Sequence, residues 1–285
     1  MIKIGIIPNL TREKAENVTY AVTDMFERLN IEYFFEPDTK PVFGDRYTYS
    51  KQLYEEADVV IAIGGDGSFI HTAKQCAIAG RPVLCINAGN LAFLAGLEAN
   101  ELELLKSLLN GNYTKEKHMM LKCRLEHDGI TEMIGYCLND IAVARGKLFN
   151  VLNFNAYCDD KIVNYYRADG IIVSTPTGST AYSWSAGGPV IDPALSCIIM
   201  TPLCTHSPLN RSMVFNSSSQ ISITAPNNTD KEIIISLDGE TNIELPENGK
   251  VIIEKSDISA EFIRIKSDEF FDVLNRKLTQ RRIET

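Results

Sequence analysis

The sequence has 285 residues, with 28 lysines and arginines against 37 aspartates and glutamates, which gives a formal charge of −9. This length predicts one large domain or two ordinary domains, and the 45% hydrophobic and 23% charged composition excludes a fully disordered chain. The acidic balance argues against nucleic-acid partners, which need a broad basic surface, although a local phosphate pocket stays compatible with it.

The cysteines and the first residues indicate the compartment. The seven cysteines are odd in number and scattered, and no C-x-x-C pair occurs. Disulfide frameworks and structural zinc sites need closer patterns, so we expect reduced cysteines in a cytoplasmic protein. The opening MIKIGIIPNL predicts a strand rather than a signal peptide, and no run approaches the roughly 18 apolar residues of a membrane span.

The first third of the chain alternates strand-like and helix-like segments. The predicted strands are short apolar runs at Lys3–Pro8, Ile31–Phe35, Ala57–Ile63 and Pro82–Asn87. The predicted helices have apolar residues at helical spacing and cover Thr11–Asn30, Gly67–Ala79 and Glu101–Leu109. Strands that alternate with helices predict an α/β domain with a parallel, Rossmann-like sheet.

After residues 100 to 115 the chain changes to short β-rich runs, which predict an all-β, sandwich-like domain. The runs are Met119–His127, Thr131–Arg145, Phe149–Cys158, Lys161–Tyr166, Gly170–Ser174, Gln220–Ala225, Ile233–Leu237 and Val251–Lys255. The turns between them are at Asp128-Gly129, Asp159-Asp160, Asn227-Asn228 and Asp238-Gly239. The tail, Asp268–Gln280, is again compatible with a helix.

The sharpest local feature is the segment GGDGS at 64–68, which lies between a predicted buried strand and a predicted helix. Glycines at the carboxyl end of a strand let backbone amides approach an anion, and the following helix N-terminus favours phosphate. Asp66 would repel that phosphate unless it faces a metal ion or a substrate hydroxyl, both of which phosphoryl transfer uses. The alternative is a tight turn in which Asp66 caps the helix. Neither a P-loop nor the dinucleotide fingerprint is present.

A second glycine-rich segment, at 167–190, and the pair Asn139-Asp140 suit a polar ligand with a flat ring. Hydroxyls at 175–180 can bind such a ligand without adding charge, and Tyr182 can stack on its ring. Ala181–Ala186 is compatible with a short helix. An amide beside a carboxylate suits an adenine edge or ribose hydroxyls. The alternatives are a solvated turn between strands and, for Asn139-Asp140, an ordinary turn.

Together these segments resemble the motifs of the bacterial NAD kinases over most of the chain. The matching segments are GGDGS at 64–68, INAGNLAFL at 86–94, LND at 138–140, DGIIVSTPTGSTAY at 169–182, PLCTHSPLNRSMVF at 202–215 and Leu237-Asp238-Gly239. The first motif also occurs in phosphofructokinases and in diacylglycerol and sphingosine kinases, whereas the run at 169–182 separates this chain from them. Ala92 stands where that family usually has glycine, and Asp140 stands where glutamate is frequent.

The resemblance implies an enzyme that transfers a terminal phosphoryl group to the 2′-hydroxyl of the adenosine ribose of NAD, giving NADP. The implied donor is ATP or inorganic polyphosphate, accompanied by Mg²⁺ near Asp66 rather than by a metal held in a side-chain cluster. The implied assembly is a homodimer or homotetramer with shared nicotinamide pockets. The implied domains are 1–105 with the returning tail 264–285, and a β-sandwich at 106–263 that binds NAD.

The resemblance also implies a set of site residues, in which Asp66 orients and deprotonates the hydroxyl. The residues expected to bind NAD or phosphate are Gly64, Gly65, Gly67, Ser68, His71, Phe93, Asn139, Asp140, Arg167, Asp169, Thr177, Thr180, Ala181, Tyr182 and Ser185. Within this set, Asn139 and Thr177 are expected at the adenine and Asp140 at its ribose. The nicotinamide half is expected at 169, 181 and 185, beside the Tyr182 ring.

Two other functions stay open from the residues alone. A sugar-phosphate or lipid kinase needs a basic pocket or an exposed apolar face, and few basic residues other than Arg145, Lys147 and Arg167 lie near the motifs. A non-catalytic dinucleotide sensor would keep the loop at 169–182 but has no need of Asp66. The four histidines lack metal-ligand spacing, and His71 is the one that follows the glycine turn.

Overall fold

The computed structural model describes residues 2–89, 92–146, 151–226, 232–266 and 270–283. The chain forms two compact units, Met1–Lys117 with Ala260–Thr285, and His118–Ser259. The fold class, an α/β part with a mostly parallel sheet and an antiparallel β part, is confirmed. The predictions that fall on 90–91, Lys147, 149–150, Asn227-Asn228 and 268–269 lie outside the described residues.

The first unit contains a mostly parallel sheet. Its own strands are β1 (Lys3–Pro8), β2 (Glu32–Phe35), β3 (Val59–Gly64), β4 (Pro82–Asn87) and β5 (Leu97–Glu98). β2, β1, β3 and β4 are neighbours in that order, and all pairs are parallel. β3 and β4 are buried at every residue, which explains their unbroken apolar sequences.

Helices pack on this sheet, and their apolar spacing matches the faces they bury. The helices of the chain are α1 (Glu13–Arg28), α2 (Lys40–Phe43), α3 (Leu53–Glu56), α4 (Asp66–Ala79), α5 (Leu105–Leu109), α6 (Tyr182–Ser185) and α7 (Phe270–Ile283), of which α6 alone belongs to the second unit. Val22 and Phe26 of α1 share one core with Ile61 of β3. α4 ends as predicted at Gly80, whose φ of 69° is left-handed.

The second unit is built from antiparallel strands. They are β6 (Thr114–His127), β7 (Ile130–Cys137), β8 (Asp140–Arg145), β9 (Leu152–Cys158), β10 (Lys161–Ala168), β11 (Gly170–Ser174), β12 (Cys197–Leu203), β13 (Met213–Asn216), β14 (Ile221–Thr224), β15 (Ile233–Leu237), β16 (Thr241–Glu244) and β17 (Lys250–Arg264), with β6 and β17 crossing the unit boundaries. One sheet has the order β13-β12-β11-β8-β15-β16, and β10-β9-β14-β17 form a second set of neighbours. Ile171 of β11 and Ile223 of β14 belong to one buried cluster, as expected for a sandwich.

Several details of the sequence-based prediction are wrong, among them the start of β6, which lies at Thr114 rather than Met119, and the helix predicted at Glu101–Leu109, which is a 3-10 turn at Leu102–Leu104 followed by α5. Thr131–Arg145 is two strands rather than one, because the chain breaks between β7 and β8 at the pair Leu138-Asn139. The run predicted at Val251–Lys255 extends to Arg264 as β17. The strands β12, β13 and β16 were absent from the prediction. The tight turns at Asp128, Asp159 and Asp238 are confirmed by φ values of 52°, 50° and 50°.

Candidate active site

The GGDGS segment forms the connection from β3 to α4 in the first unit. Gly65 occupies the N-cap position and Asp66 is the first helical residue, so the alternative in which Asp66 caps the helix is wrong. The Asp66 carboxylate instead accepts hydrogen bonds from two backbone amides, Phe93 N to Oδ2 and Leu94 N to Oδ1, each at 3.1 Å. The segment after β4 therefore fixes the orientation of this carboxylate at the helix N-terminus.

Side chains that follow β1 lie against the same turn, because β1 and β3 are parallel neighbours. Asn9 Nδ2 donates a hydrogen bond to Ser68 Oγ at 2.7 Å. A Cβ on Gly65 would lie 3.4 Å from Arg12 Nη1, and one on Gly89 would lie 2.6 Å from it. The Arg12 guanidinium thus rests on two glycine backbones beside the turn and adds a positive charge there.

Sequence reasoning missed Asn9 and Arg12. Their signal was available, because both lie directly after β1, and the carboxyl ends of parallel strands meet at one edge of a sheet. Of the other residues expected in this unit, Ser68 and Phe93 are half-buried, and Gly67 and His71 are exposed on α4. The GGDGS segment, Asn9, Arg12 and Phe93 form one group, with His71 one turn further along the helix.

A cavity of about 480 Å³ lies in the second unit, on the sheet that contains β8 and β15. It is lined by Asn139, Asp140, Ala142, Ala144, Arg145, Ala181, Tyr182, Ile234, Ser236, Asp238 and Gly239. Four of these residues, at 139, 140, 181 and 182, were expected to bind NAD. The small side chains of Ala142 and Ala144 line it on β8, and Tyr182, at 46% exposure of the whole residue, can offer its ring for stacking.

The hydroxyl-rich loop at 175–180 is packed inside the protein, so the interpretation as a solvated turn is wrong. Thr175 N donates to the carbonyl oxygen of Asn139 at 2.9 Å, and Thr175 Oγ1 donates to that of Leu138 at 2.6 Å. Gly178 allows this approach, because a Cβ there would overlap the Asn139 carbonyl. Thr177 is buried, with its Oγ1 2.8 Å from His118 Nδ1.

Asp140 is a buried carboxyl at the start of β8, with a side chain that is 5% exposed. Burial, together with the nearby charge of Asp238, raises the pKa of Asp140 from 3.8 to about 7. A hydrogen bond from the backbone amide of Tyr182 acts in the opposite direction. This carboxyl therefore changes its charge, and its capacity to accept hydrogen bonds, close to neutral pH.

Comparison with known proteins identifies the family. The family model described as "ATP-NAD kinase N-terminal domain" matches residues 12–113, and that of the "ATP-NAD kinase C-terminal domain" matches residues 138–265. The NAD kinase of Caldanaerobacter subterraneus subsp. tengcongensis is 35% identical over 288 residues, which cover 99% of this chain and 100% of the relative. The chain belongs to the NAD kinase family. The prediction from the motifs is confirmed, and the protein is a phosphotransferase.

Further relatives of this NAD kinase family member agree in sequence and in fold. The NAD kinase of Thermoanaerobacter sp. is 36% identical over 289 residues, 99% of this chain and 100% of the relative. The crystal structure of yeast NADH kinase complexed with NADH has a TM-score of 0.88 at 22% identity, over 98% of this chain and 88% of that one. An Archaeoglobus fulgidus NAD kinase in complex with ATP has a TM-score of 0.74 at 24% identity, over 98% and 99% of the chains. At these identities the two structures show the fold.

The remaining expected residues of this NAD kinase family member lie outside the cavity lining. Arg145 forms an ion pair with Asp169 at 3.1 Å, so Asp169 is connected to the cavity through a lining residue. Arg167 is exposed on β10, and its backbone carbonyl accepts a hydrogen bond from His206 N at 2.8 Å. Thr177, Thr180 and Ser185 lie on the loop and helix that carry the lining residues at 181 and 182.

The described part of the chain has neither a metal-binding cluster of side chains nor a membrane-spanning helix. Across those residues, no group of three His, Cys, Asp or Glu side chains is placed to hold a metal ion. Within the same residues, every helix is too short or too polar to cross a bilayer.

Proposed function

We propose that this member of the NAD kinase family transfers the terminal phosphoryl group of ATP, or of inorganic polyphosphate, to the 2′-hydroxyl of the adenosine ribose of NAD, giving NADP. The observation that carries the proposal is the carboxylate of Asp66, which two backbone amides fix at the end of a glycine turn. A fixed carboxylate beside a phosphate-binding turn suits an attacking hydroxyl, because phosphoryl transfer depends mainly on positioning and charge neutralisation.

Asp66 would accept the hydrogen bond of the 2′-hydroxyl and aim its oxygen at the terminal phosphorus. As the new O–P bond forms and the bond to the leaving phosphate breaks, the hydroxyl proton passes to this carboxylate. A carboxylate is a weak base for an unreacted hydroxyl, so its main contribution is orientation, and the proton moves as the bond to phosphorus develops. The two amides on Asp66 support this role by restricting its rotation.

The donor phosphates would bind to the backbone amides of the GGDGS turn and to the N-terminus of α4. The chain is acidic overall, with a formal charge of −9. Arg12, which rests on Gly65 and Gly89, would add a local positive charge for these phosphates. His71, exposed on α4, is the further candidate for a phosphate contact. Gly64, Gly67 and Ser68 complete this set.

Mg²⁺ fits this set as a partner of the donor phosphates. The amides of Phe93 and Leu94 hold the Asp66 carboxylate at the N-terminus of α4, beside the turn where the donor phosphates would bind. Magnesium is commonly bound by one or two carboxylates together with substrate phosphates. Asp66 is the residue that would face the ion, which neutralises charge on the phosphates when it is bound.

The cavity of the second unit would bind NAD. Its Asn139 amide suits the adenine edge, as does the hydroxyl of Thr177 on the adjoining buried loop, and Asp140 suits the ribose hydroxyls. The exposed ring of Tyr182 would stack on a planar group, beside the alanine floor at 142 and 144. The nicotinamide half would lie at Asp169, Ala181 and Ser185, with Arg167 and Thr180 near the phosphates.

The assembly and the compartment belong to the same proposal. We propose a cytoplasmic homodimer or homotetramer in which a neighbouring copy completes each nicotinamide pocket. The exposure of Tyr182 and Ser185 supports this, because a ligand on them would remain partly open in one chain alone. We also propose that the α/β domain comprises 1–105 with 264–285, and that the NAD-binding β-sandwich domain comprises 106–263. Light scattering with and without NAD measures the oligomer, and a monomer under both conditions would contradict it.

The activity is tested with purified protein, NAD, ATP and Mg²⁺, with NADP measured by an NADP-specific dehydrogenase. We expect NADP formation by the natural sequence and a loss of roughly 10²–10⁴-fold in the Asp66→Asn variant. Asp45→Asn, at an exposed residue of the same unit, is the matched control and should keep full activity. No NADP from the natural sequence, or an active Asp66→Asn variant, would contradict the proposal. NAD binding without turnover would favour a sensor.

A further inference from the structure

One carboxylate in the second unit accepts hydrogen bonds from three consecutive backbone amides. Asp238 Oδ2 accepts from Leu138 N at 3.0 Å, and Oδ1 accepts from Asn139 N at 2.8 Å and from Asp140 N at 3.1 Å. In return, Asp238 N donates to the carbonyl oxygen of Asp140 at 2.9 Å. The chain leaves β7 and enters β8 at this point. The Asp238 carboxylate therefore accepts the hydrogen bonds that a carbonyl oxygen of a neighbouring strand would otherwise accept.

An aspartate suits position 238 for two independent reasons. The residue begins the turn from β15 to β16 and has a φ of 50°, a left-handed conformation that Asp and Asn adopt more readily than other non-glycine residues. Its charged carboxylate is also a stronger acceptor for amides than a neutral group. The exposed hairpin turn Asp128-Gly129 has the same sequence pattern, and Asp128 has a φ of 52°. That second turn provides an internal comparison.

The amides held by Asp238 belong to the residues that face the cavity. Asn139, Asp140 and Asp238 all line it. Thr175 holds the same segment from the other side through the carbonyl oxygens of Asn139 and Leu138. The direction in which the Asn139 and Asp140 side chains project is therefore set by a residue far away in the chain.

The charged and titratable groups around Asp140 come from several elements. Asp238 approaches from the β15–β16 turn, Tyr182 from α6, and Arg145 from further along β8. Arg145 is paired with Asp169 at 3.1 Å, so its charge is partly balanced. Burial is the largest cause of the raised pKa of Asp140, and the like charge of Asp238 is the second.

We propose that Asp238 is a positioning residue for the nucleoside: it holds the Asn139-Asp140 segment in its binding shape, and its charge acts on the Asp140 carboxyl that accepts hydrogen bonds from ribose hydroxyls. The ligand class is a nucleoside with a free ribose diol, and the inference rests on the proposed function of the cavity. Asp238 needs no contact with the substrate for either effect.

Two variants separate position from charge. Asp238→Asn keeps the size of the side chain and removes its charge, but its amide group can no longer accept from all three backbone amides. We expect the KM for NAD to rise roughly tenfold at pH 8, the value of one lost hydrogen bond to a charged group, with kcat within roughly threefold. The acid limb of the KM profile should move to lower pH. Asp238→Glu keeps the negative charge, but its longer side chain no longer fits the three backbone amides. The KM for NAD should therefore rise, while the acid limb of its pH profile stays in place.

The experiment is steady-state kinetics with NAD as the varied substrate, at saturating ATP and Mg²⁺, across the neutral pH range. Asp128→Asn is the matched control and should behave as the natural sequence. An unchanged KM in Asp238→Asn, a loss confined to kcat, or an acid limb that does not move would overturn the proposal. If Asp238→Asn fails to show a cooperative thermal transition, Asp238→Glu decides the positioning role, and an unchanged KM in it overturns the proposal.

Failure of the proposed function is distinguishable from failure of this inference. If the natural sequence makes no NADP, the proposed function fails, whereas calorimetric titration with NAD still compares the variants. In that titration we expect the same roughly tenfold loss of affinity in Asp238→Asn and the same shift of its pH profile. Equal affinities at all pH values would overturn the role of Asp238 independently of catalysis.

Discussion

Replacing Asp140 with Asn should stabilise the fold although it alters the ribose ligand proposed above. The carboxyl is 5% exposed, and burial with the charge of Asp238 raises its pKa from 3.8 to about 7. At neutral and alkaline pH the folded protein must hold a charge that the unfolded chain holds in water without cost. An asparagine carries no charge, keeps the size of the side chain, and can donate a hydrogen bond to Asp238.

The sign and the size follow from the two pKa values. A carboxyl whose pKa is higher in the folded protein binds its proton more tightly there, so its contribution is fully favourable below pH 3.8 and is lost as the pH rises to about 7. In this window the free energy of unfolding falls by about 1.4 kcal/mol for each pH unit, and by about 4 kcal/mol over the whole window. Asp140→Asn escapes this loss, so its stability relative to the natural sequence should increase with pH.

Urea unfolding monitored by circular dichroism measures this effect at pH 5 and pH 8. We expect the difference in free energy of unfolding, Asp140→Asn minus natural sequence, to be about 3 kcal/mol more favourable at pH 8 than at pH 5. Asp128→Asn, at an exposed turn, is the control and should show no such pH dependence. An equal difference at both pH values would refute the reasoning, because the carboxyl would then titrate alike in both states.

Three other outcomes are expected. Arg12→Ala should raise the KM for ATP roughly tenfold and leave the KM for NAD unchanged. Arg28→Ala, on the exposed face of α1, is the control and should change neither KM. Equal effects of Arg12→Ala on both substrates would contradict its role at the phosphates. Gly178→Ala should lower the free energy of unfolding, measured with urea, by about 3 kcal/mol, because the new Cβ overlaps the Asn139 carbonyl. Gly67→Ala is the control, and its free energy of unfolding should change little, because the new Cβ meets nothing within 4 Å. The KM for NAD of the natural sequence should rise as the pH falls below about 7, as Asp140 takes up its proton, and a flat profile from pH 6 to 8 would count against Asp140 as the ribose ligand.

Much of the fold was predictable because its signals are local. β4, β11 and β15 have the predicted bounds, since each is a short apolar run ended by a polar residue or a turn. The family motifs contain Asp66 and the pair Asn139-Asp140, and their order along the chain indicated the reaction.

The parts that sequence reasoning missed depend on contacts between distant residues. Asp238 binds amides about 100 positions earlier in the chain, so the sequence around Leu138, which offers a turn at Asn139-Asp140 only as an alternative, does not show what holds the break within the predicted strand at Thr131–Arg145. The loop with Thr177 looks solvated because it is rich in hydroxyls, yet backbone carbonyls and His118 satisfy it inside the protein. Arg12 is an exception, because the predicted parallel sheet already indicates that residues after β1 and β3 meet at one edge of the sheet.

The most direct test identifies the oxygen that receives the phosphoryl group. Purified protein is incubated with NAD, ATP and Mg²⁺, and the product is examined by ³¹P NMR, with Asp66→Asn run in parallel. We expect a new phosphomonoester on the 2′-oxygen of the adenosine ribose, formed at least about 100-fold more slowly by Asp66→Asn. Phosphorylation at another hydroxyl, no phosphorylation at all, or an equal rate in Asp66→Asn would contradict the assignment of Asp66 to this hydroxyl.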